Sequence, residues 1–266
     1  MQESVRFDRA ADHYDTTRAI SDDAIARTID ILASELRGRG RALEVGVGTG
    51  LLALPLHEAG VPLAGLDLTP AMMAKLVEKA GGASPFPLIQ ADATRMPFAD
   101  DVFAGAYLRW VLHLIPNWGD ALGEMARVVE PGGVLVVNLG AYDEPTTEIR
   151  RMFSEITGVQ TDPVGLMWGE LEALDARMAA LGATLRLLPS IPEEGEESLG
   201  EFLDGIAEGR WSWTWNASED ARLNAVEELR PWAEERSGPL ARVDRYELET
   251  VWRAYDLPGG PSNTGP

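Results

Sequence analysis

Short apolar runs alternate with helical patterns through the middle of the chain. The runs that have the length of buried strands are residues 42–46, 63–68, 86–90, 102–109 and 134–140. The segments between them carry apolar residues at helical spacing, and Thr69-Pro70 is typical of a helix start. Strands that alternate with helices pair in parallel, because each helix carries the chain back across the sheet. The pattern therefore predicts an α/β fold.

The pattern changes after residue 140. Residues 183–188 and 246–255 are predicted to form two more strands, and a mainly helical stretch of roughly 197–236 lies between them. The acidic residues around 193–197 are expected to form a solvated loop. A connection of this length exceeds a hairpin loop. Because a parallel sixth strand would end at the ligand-binding edge of the sheet, the connection is predicted to form a lid.

Composition and charge narrow the possible functions. The 266 residues are 45% apolar and 25% charged, which is typical of a folded globular chain. Cysteine is absent and histidine occurs three times, so disulfides, cysteine nucleophiles and a multi-histidine metal site are not expected. The net charge of −20 disfavours nucleic acid and anionic membranes as partners. With a polar N-terminus and no apolar run of ~20 residues, we expect a cytoplasmic protein, either a monomer or a homodimer.

A glycine-rich segment between the first predicted strand and helix is the most informative motif. Its sequence is Glu44-Val45-Gly46-Val47-Gly48-Thr49-Gly50. Glycines here allow a tight turn and close approach of a ligand to the backbone. The spacing does not fit the G-x-G-x-x-G motif of dinucleotide sites, since Leu51 stands at the sixth position. The acidic Glu44 would repel a pyrophosphate but suits an ammonium group.

This segment resembles the E/D-x-G-x-G-x-G loop of class I S-adenosylmethionine-dependent methyltransferases, in particular their small-molecule, type 11-like branch. Later motifs match in order: Asp67 after the second predicted strand, Asp92 in QADATRMPF, and ARVVEPGGVLVV before the fifth strand. The opening FDRAADHYDTTR is similar to the N-terminal cap of that branch. The resemblance covers residues 7 to about 140. It implies a Rossmann-like, doubly wound, mostly parallel seven-stranded sheet with an antiparallel last strand.

The same resemblance implies S-adenosylmethionine as the cofactor and S-adenosylhomocysteine as the product. In the family, the residue matched by Asp67 binds the ribose hydroxyls and the one matched by Asp92 binds the adenine amine. The residues matched by Tyr14 and Arg18 reach the methionine end. Leu68 could contact adenine or simply pack in the core, and so could Met72. The complete predicted cofactor set is Tyr14, Arg18, Glu44, Gly46, Gly48, Gly50, Asp67, Leu68, Met72, Asp92, Ala93 and Arg109.

The resemblance and the pattern together predict the domain organisation. We expect a Rossmann-like cofactor-binding core flanked by a cap, a lid over the substrate pocket and a flexible tail. The ranges are 1–40 for the helical cap, 41–188 and 241–257 for the core, 189–240 for the lid, and 258–266 for the tail.

His113 is the candidate general base. It follows the fourth predicted strand, and ligands of parallel sheets bind beyond the carboxyl ends of the strands. An imidazole there could accept a proton from the methyl acceptor, and a packing or helix-capping role is the alternative. His13 could also face the cofactor. Arg109, at the end of the same strand, could hold an acidic group of the ligand or pair with a nearby carboxylate.

Aromatic side chains are the candidate substrate contacts. In an extended segment Trp211, Trp213 and Trp215 would share a face able to stack an aromatic group or hold a cation, whereas on a helix they would point apart. Anchoring the lid to the core is the alternative role. The predicted substrate residues are Trp110, Tyr142, Trp168, Trp211 and Trp213.

The leading hypothesis is methyl transfer to an oxygen, nitrogen or carbon atom of a small molecule by in-line displacement. Positioning of the reactants supplies much of the catalysis in such a reaction. One alternative is a protein or nucleic-acid methyltransferase, against which stand the acidic charge and the absence of an Asn/Asp-Pro-Pro-Tyr/Phe motif after the fourth strand. The others are a non-catalytic S-adenosylmethionine-binding protein and a nicotinamide oxidoreductase, and the glycine spacing disfavours the latter.

Overall fold

The chain forms two compact units in a computed structural model. Unit 1 comprises Met1–Gly140, Val164–Ile191 and Thr250–Pro266, and unit 2 comprises Ala141–Pro163 and Pro192–Glu249. The residues that the structure describes are 3–12, 14–17, 21–140, 144–167 and 169–260.

Most of the strands belong to one large sheet. In chain order the strands are β1 Ala42–Val45, β2 Leu63–Asp67, β3 Leu88–Gln90, β4 Phe103–Arg109, β5 Val129–Asn138, β6 Thr184–Leu187, β7 Ile191–Ser198, β8 Val243–Thr250 and β9 Arg253–Asp256. The large sheet has seven strands in the order β3-β2-β1-β4-β5-β9-β6. Strands β1 to β5 pair in parallel, and β9 is antiparallel to both β5 and β6. The predicted mostly parallel sheet with an antiparallel last strand is confirmed.

Helices cover both faces of this sheet and build most of unit 2. They are α1 Tyr14–Thr17, α2 Asp22–Leu36, α3 Ala53–Glu58, α4 Pro70–Lys79, α5 Trp118–Val128, α6 Glu144–Thr157, α7 Leu171–Ala180, α8 Leu199–Glu208 and α9 Glu219–Ser237. The predicted start of α2 is confirmed, since the Ser21 hydroxyl accepts a hydrogen bond from the backbone N–H of Ala24. Of the helices in the described part of the chain, none is long and apolar enough to cross a membrane.

The central strands of unit 1 are buried on both faces, as expected of a parallel sheet covered by helices. One face packs against α5 and α7 through residues such as Leu122 and Leu174. The other packs against α2, α3 and α4 through residues such as Leu36 and Leu56. Tyr107 of β4 points to this second face.

Two predicted features near β5 and β9 need correction. The turn predicted at 131–133 is an irregularity inside β5, where the pairing with β4 shifts between Val129 and Val134. The single strand predicted at 246–255 is two strands, β8 and β9. The two belong to different sheets, because β8 pairs with β7 and β9 pairs with β5 and β6.

Unit 2 has its own hydrophobic core. Helices α6, α8 and α9 bury Phe153, Leu203, Ile206 and Leu229 completely. The acidic segment 193–197, expected to be a solvated loop, is part of β7, which pairs with β8 in a two-stranded sheet. The fold of this unit is thus helical with a small sheet.

The boundaries of the units differ from the predicted ones. Residues 141–163, predicted in the core, belong to unit 2 because α6 packs with α8 and α9. Residues 241–249 also belong to unit 2, since β8 pairs with β7. The predicted cap, 1–40, belongs to unit 1. The role of 189–240 as a lid stays a prediction.

Candidate functional site

Asp67 holds the glycine loop at the carboxyl end of β1. Its Oδ2 accepts a hydrogen bond from the backbone N–H of Gly48 and its Oδ1 accepts one from that of Thr69, each at 2.8 Å. Gly46 has a φ of 75°, and a Cβ there would lie 2.4 Å from Cγ2 of Val111. Only glycine fits both the conformation and the space. The loop and the start of α4 are therefore fixed to one carboxylate.

The Asp67 carboxylate is stabilised by these bonds against the cost of its own burial. Burial raises the pKa of Asp67, and the hydrogen bonds from the backbone of Thr69, Gly48 and Leu68 oppose that rise. Asp8, from the N-terminal segment, adds a further negative charge that raises the pKa. A carboxylate arranged in this way can accept hydrogen bonds from hydroxyl groups of a ligand.

A second carboxyl group lies beneath the loop. Glu44 of β1 is 5% exposed, and its Oε2 accepts a hydrogen bond from the Tyr107 hydroxyl at 2.7 Å. The two residues face each other across the β1–β4 pairing. Burial raises the pKa of Glu44 to about 8. The negative charge of Asp67 adds to this rise. The hydrogen bond from Tyr107 and the positive charge of Arg109 oppose it. Burial also raises the pKa of Tyr107 well above its usual value.

Glu44 lines a pocket beside the glycine loop. Of the predicted cofactor residues, Tyr14, Glu44, Gly46, Gly48 and Arg109 line it. The other lining residues are Val47, Thr49, Leu51 and Leu52. The structure thus gathers residues from the N-terminal segment, β1, the loop and β4, which are far apart in the sequence.

The other described residues of the predicted cofactor set do not belong to the lining of this pocket. Met72 is buried, with Cε 3.5 Å from the position a Cβ would take on Gly48, while Leu68 is half-buried. Asp92 accepts hydrogen bonds from the backbone and the hydroxyl of Thr94, both at 2.8 Å. Ala93 is buried in the core, and Gly50 packs closely against Leu76. Arg18 and His13 lie outside the described residues.

The N-terminal segment crosses the carboxyl edge of the sheet. The N–H of Val5 donates to the carbonyl of Leu114 at 3.0 Å, and that of Phe7 donates to the Thr69 hydroxyl at 3.1 Å. Farther along, Asp15 accepts a hydrogen bond from the Thr49 hydroxyl at 2.6 Å. The segment is therefore tied to the glycine loop and to the residues that follow β2 and β4, contacts that the sequence pattern did not reveal.

The end of β4 presents Arg109 to the pocket in a constrained setting. Its guanidinium carbon lies 3.6 Å from the centroid of the Trp110 ring, a close cation–π contact. Trp110 has a φ of 57°, which is strained for a residue with a side chain. The backbone N–H of Trp110 donates a hydrogen bond to the carbonyl of Asn138 at 3.0 Å. A Cβ on Gly140 would lie 2.7 Å from the indole nitrogen of Trp110. The packing of β4 against β5 thus fixes this pair.

His113 lies on a short 3₁₀ turn, Leu112–Leu114, that follows Trp110. The carbonyl oxygens of His113 and Leu112 accept hydrogen bonds from the N–H groups of Gly165 and Leu166, at 3.0 and 3.1 Å. The side chain is half-buried, and His113 does not belong to the lining of the pocket described above. The turn is held firmly near the carboxyl end of β4, and the role of His113 as a base stays a prediction.

The predicted aromatic substrate residues of unit 2 pack within that unit. Trp211 precedes the 3₁₀ turn Ser212–Thr214 and Trp213 lies within it, and the two rings face different neighbours. The Trp211 ring lies 5.6 Å from that of Phe202, and the Trp213 ring contacts Phe153 edge-on at 5.3 Å. Both contacts lie within unit 2, and a role of these residues in substrate binding stays a prediction. Tyr142 and Trp168 lie outside the described residues.

Sequence reasoning missed Tyr107 as a partner of the site. It stands in an apolar strand, and the strand register alone shows that it faces Glu44. A single hydroxyl group within the run Gly105-Ala106-Tyr107-Leu108 was the available signal.

Comparison with known proteins agrees with this geometry. The family described as a methyltransferase domain matches residues 43–137, the stretch that contains the loop, Asp67, Asp92 and β4. These residues are therefore similar to the core of a methyltransferase domain, in agreement with the resemblance found in the sequence. The fold is Rossmann-like, as predicted.

Two of the proteins that are similar in sequence to this chain are named as methyltransferases. The chain is 34% identical over 134 residues to the demethylmenaquinone methyltransferase of Mycolicibacterium paratuberculosis, across 49% of this chain and 56% of that protein. It is 39% identical over 109 residues to the phosphatidylethanolamine N-methyltransferase of Cereibacter sphaeroides, across 40% of this chain and 53% of that one. The chain thus spans about half the length of these curated relatives. In fold it is similar to the YcgJ protein of Bacillus subtilis, with a TM-score of 0.60, 18% identity and coverage of 90% and 100% of the two chains.

Proposed function

We propose that this protein transfers a methyl group from S-adenosylmethionine to a small molecule. The observation that carries the proposal is the pocket beside the glycine loop, where Glu44, Gly48 and Arg109 meet. Carboxyl groups at this edge of the sheet fit the ammonium and hydroxyl groups of S-adenosylmethionine, and they do not fit a pyrophosphate. When bound, S-adenosylmethionine supplies an electrophilic methyl group on a positively charged sulfur atom.

The residues of this chain would bind and orient both reactants. In the proposal Glu44 accepts a hydrogen bond from the ammonium group, Asp67 from the ribose hydroxyls and Asp92 from the adenine amine. In the same proposal His113, on the turn after β4, accepts a proton where the acceptor must lose one. Holding the acceptor in line with the methyl group supplies much of the rate acceleration.

The acidic charge and the relatives support a small-molecule acceptor. A net charge of −20 disfavours nucleic acid as the substrate. The names of two relatives contain demethylmenaquinone and phosphatidylethanolamine. These two compounds are therefore the first acceptors to offer in a methyl-transfer assay, followed by small amines and phenols.

Calorimetric titration is expected to show tight binding of S-adenosylmethionine and S-adenosylhomocysteine, and much weaker binding of NAD. The physical reason is that the carboxyl groups of Glu44 and Asp67 can accept hydrogen bonds from ammonium and hydroxyl groups, whereas the glycine spacing does not fit a dinucleotide. Tight NAD binding without a response to S-adenosylmethionine would overturn the proposal. Binding without transfer to any acceptor would instead favour a non-catalytic S-adenosylmethionine-binding protein.

Asp67→Ala is expected to lower the affinity for S-adenosylhomocysteine at least tenfold. A hydrogen bond to a charged group contributes ~1.5–3 kcal/mol, and the substitution also frees the N–H groups of Gly48 and Thr69. The same titration measures the change. Asp100→Ala is the matched control, since Asp100 is an exposed carboxylate that pairs with Arg127. Equal affinity of the Asp67 variant and the wild type would show that Asp67 is not a ligand of the ribose.

A further inference from the structure

We propose that Glu44 and Tyr107 couple cofactor binding to the release of a proton. In the free protein the Glu44 carboxyl group is neutral, and it gives up its proton to solvent when an ammonium group enters the pocket. Tyr107 acts as a positioning residue that holds the carboxyl group and stabilises its ionised form. The inference rests on the proposed cofactor site and adds a linkage between pH and affinity to it.

The position of Glu44 makes its protonation state sensitive to a ligand in the pocket. Its carboxyl group is buried, yet the residue lines the pocket. The Tyr107 hydroxyl donates to Oε2 at 2.7 Å, and the pairing of β1 with β4 holds both backbones in place. A cation that enters beside this carboxyl group therefore meets a fixed acceptor rather than a flexible surface side chain.

The groups around Glu44 determine whether its carboxyl group holds or releases a proton. The charged groups that act on Glu44 are Asp67 beyond β2 and Arg109 at the end of β4, besides the polar Tyr107. Burial outweighs the favourable contacts and raises the pKa of Glu44 to about 8, so the carboxyl group is mostly protonated at neutral pH. An ammonium group at hydrogen-bond distance favours the charged form. The carboxyl O–H bond then breaks, the proton goes to solvent, and a carboxylate–ammonium pair forms.

Calorimetry in buffers of different ionisation enthalpy counts the protons released. At about pH 6.5 the ligand's amino group is charged and Glu44 is neutral. We expect S-adenosylhomocysteine to release close to one proton from the wild type and close to none from Glu44→Gln. Methylthioadenosine shares the nucleoside but lacks the amino-acid part, and it is expected to release none. This contrast between two ligands uses the wild type alone and does not depend on the folding of a variant.

Tyr107→Phe tests the positioning role through the pH profile of affinity. Without the hydroxyl donor the carboxylate is less stable, so affinity for S-adenosylhomocysteine should fall about tenfold. The pH at which proton release ceases should also move upward. Tyr255→Phe is the matched control, because Tyr255 is buried and its hydroxyl donates to Asp175 at 2.7 Å. That variant should retain the wild-type profile.

The outcomes separate this inference from the function on which it rests. No binding of S-adenosylhomocysteine would overturn the proposed function. Binding without proton release, equal release with methylthioadenosine, or unchanged release in Glu44→Gln would overturn the inference and leave the function standing.

Discussion

Replacing His113 with alanine is expected to slow methyl transfer by ~10²–10⁴-fold for an acceptor that loses a proton in the reaction. An imidazole can exchange a proton around neutral pH, and His113 lies just beyond the end of β4. Cofactor affinity should stay nearly unchanged, since the residue does not line the pocket beside the glycine loop. For an acceptor that needs no base, the loss should be small.

Single-turnover transfer as a function of pH measures this effect. His57→Ala is a suitable control, because His57 lies in α3 and packs edge-on against Phe86 at 5.4 Å. The wild type and this control should share a pH profile with an acidic limb that the His113 variant lacks. A variant profile of unchanged shape, with a loss below about tenfold, would assign His113 to packing and leave positioning as the source of catalysis.

Glu44→Gln is expected to stabilise the free protein at alkaline pH. The pKa of Glu44 is about 8 in the folded chain and 4.5 when unperturbed, so between these values the folded state binds more protons than the unfolded state. The free energy of unfolding of the wild type therefore falls as the pH rises from about 4.5 to about 8. Glutamine keeps the shape and stays neutral. The difference between the proteins should reach on the order of 5 kcal/mol above that window.

Urea unfolding at about pH 5 and about pH 9 measures this difference. Glu58→Gln removes an exposed carboxylate in α3 and should change the free energy of unfolding little at either pH. An identical pH dependence in the wild type and Glu44→Gln would contradict the burial of an ionisable carboxyl group. The substitution is thus expected to raise the stability of the free protein while it weakens cofactor binding.

The alternating strands and helices of unit 1 could be predicted because neighbouring residues in the sequence indicate each of them. The start of α2 at Ser21, the strands β1 to β5 and the Pro70 helix start each follow from neighbouring residues. Strand β7 was missed because the acidic composition of residues 191–198 favours a loop, and β8 was predicted only as one strand together with β9. Strands β7 and β8 pair although they are far apart in the sequence, and this pairing outweighs the local preference for a loop.

The residues of the site that belong to sequence motifs could be predicted from the sequence. Glu44, the glycines and Arg109 were identified from the loop and the strand end, and the structure places them at one pocket. Tyr107 and the contact of Asp15 with Thr49 were missed, because each depends on which elements are neighbours in space. Such contacts follow from strand order and register, which a single sequence does not determine.

The position of β9 has a consequence for how the chain is made. This strand follows every other strand in the sequence, yet it lies between β5 and β6. As the chain leaves the ribosome, β5 consequently keeps an unpaired apolar edge until β6 and the whole of unit 2 have been synthesised. Open edges of this kind are templates for pairing with other chains. A ribosome that stalls before Arg253–Asp256 would therefore release an aggregation-prone protein, even though every residue of the glycine loop is already present.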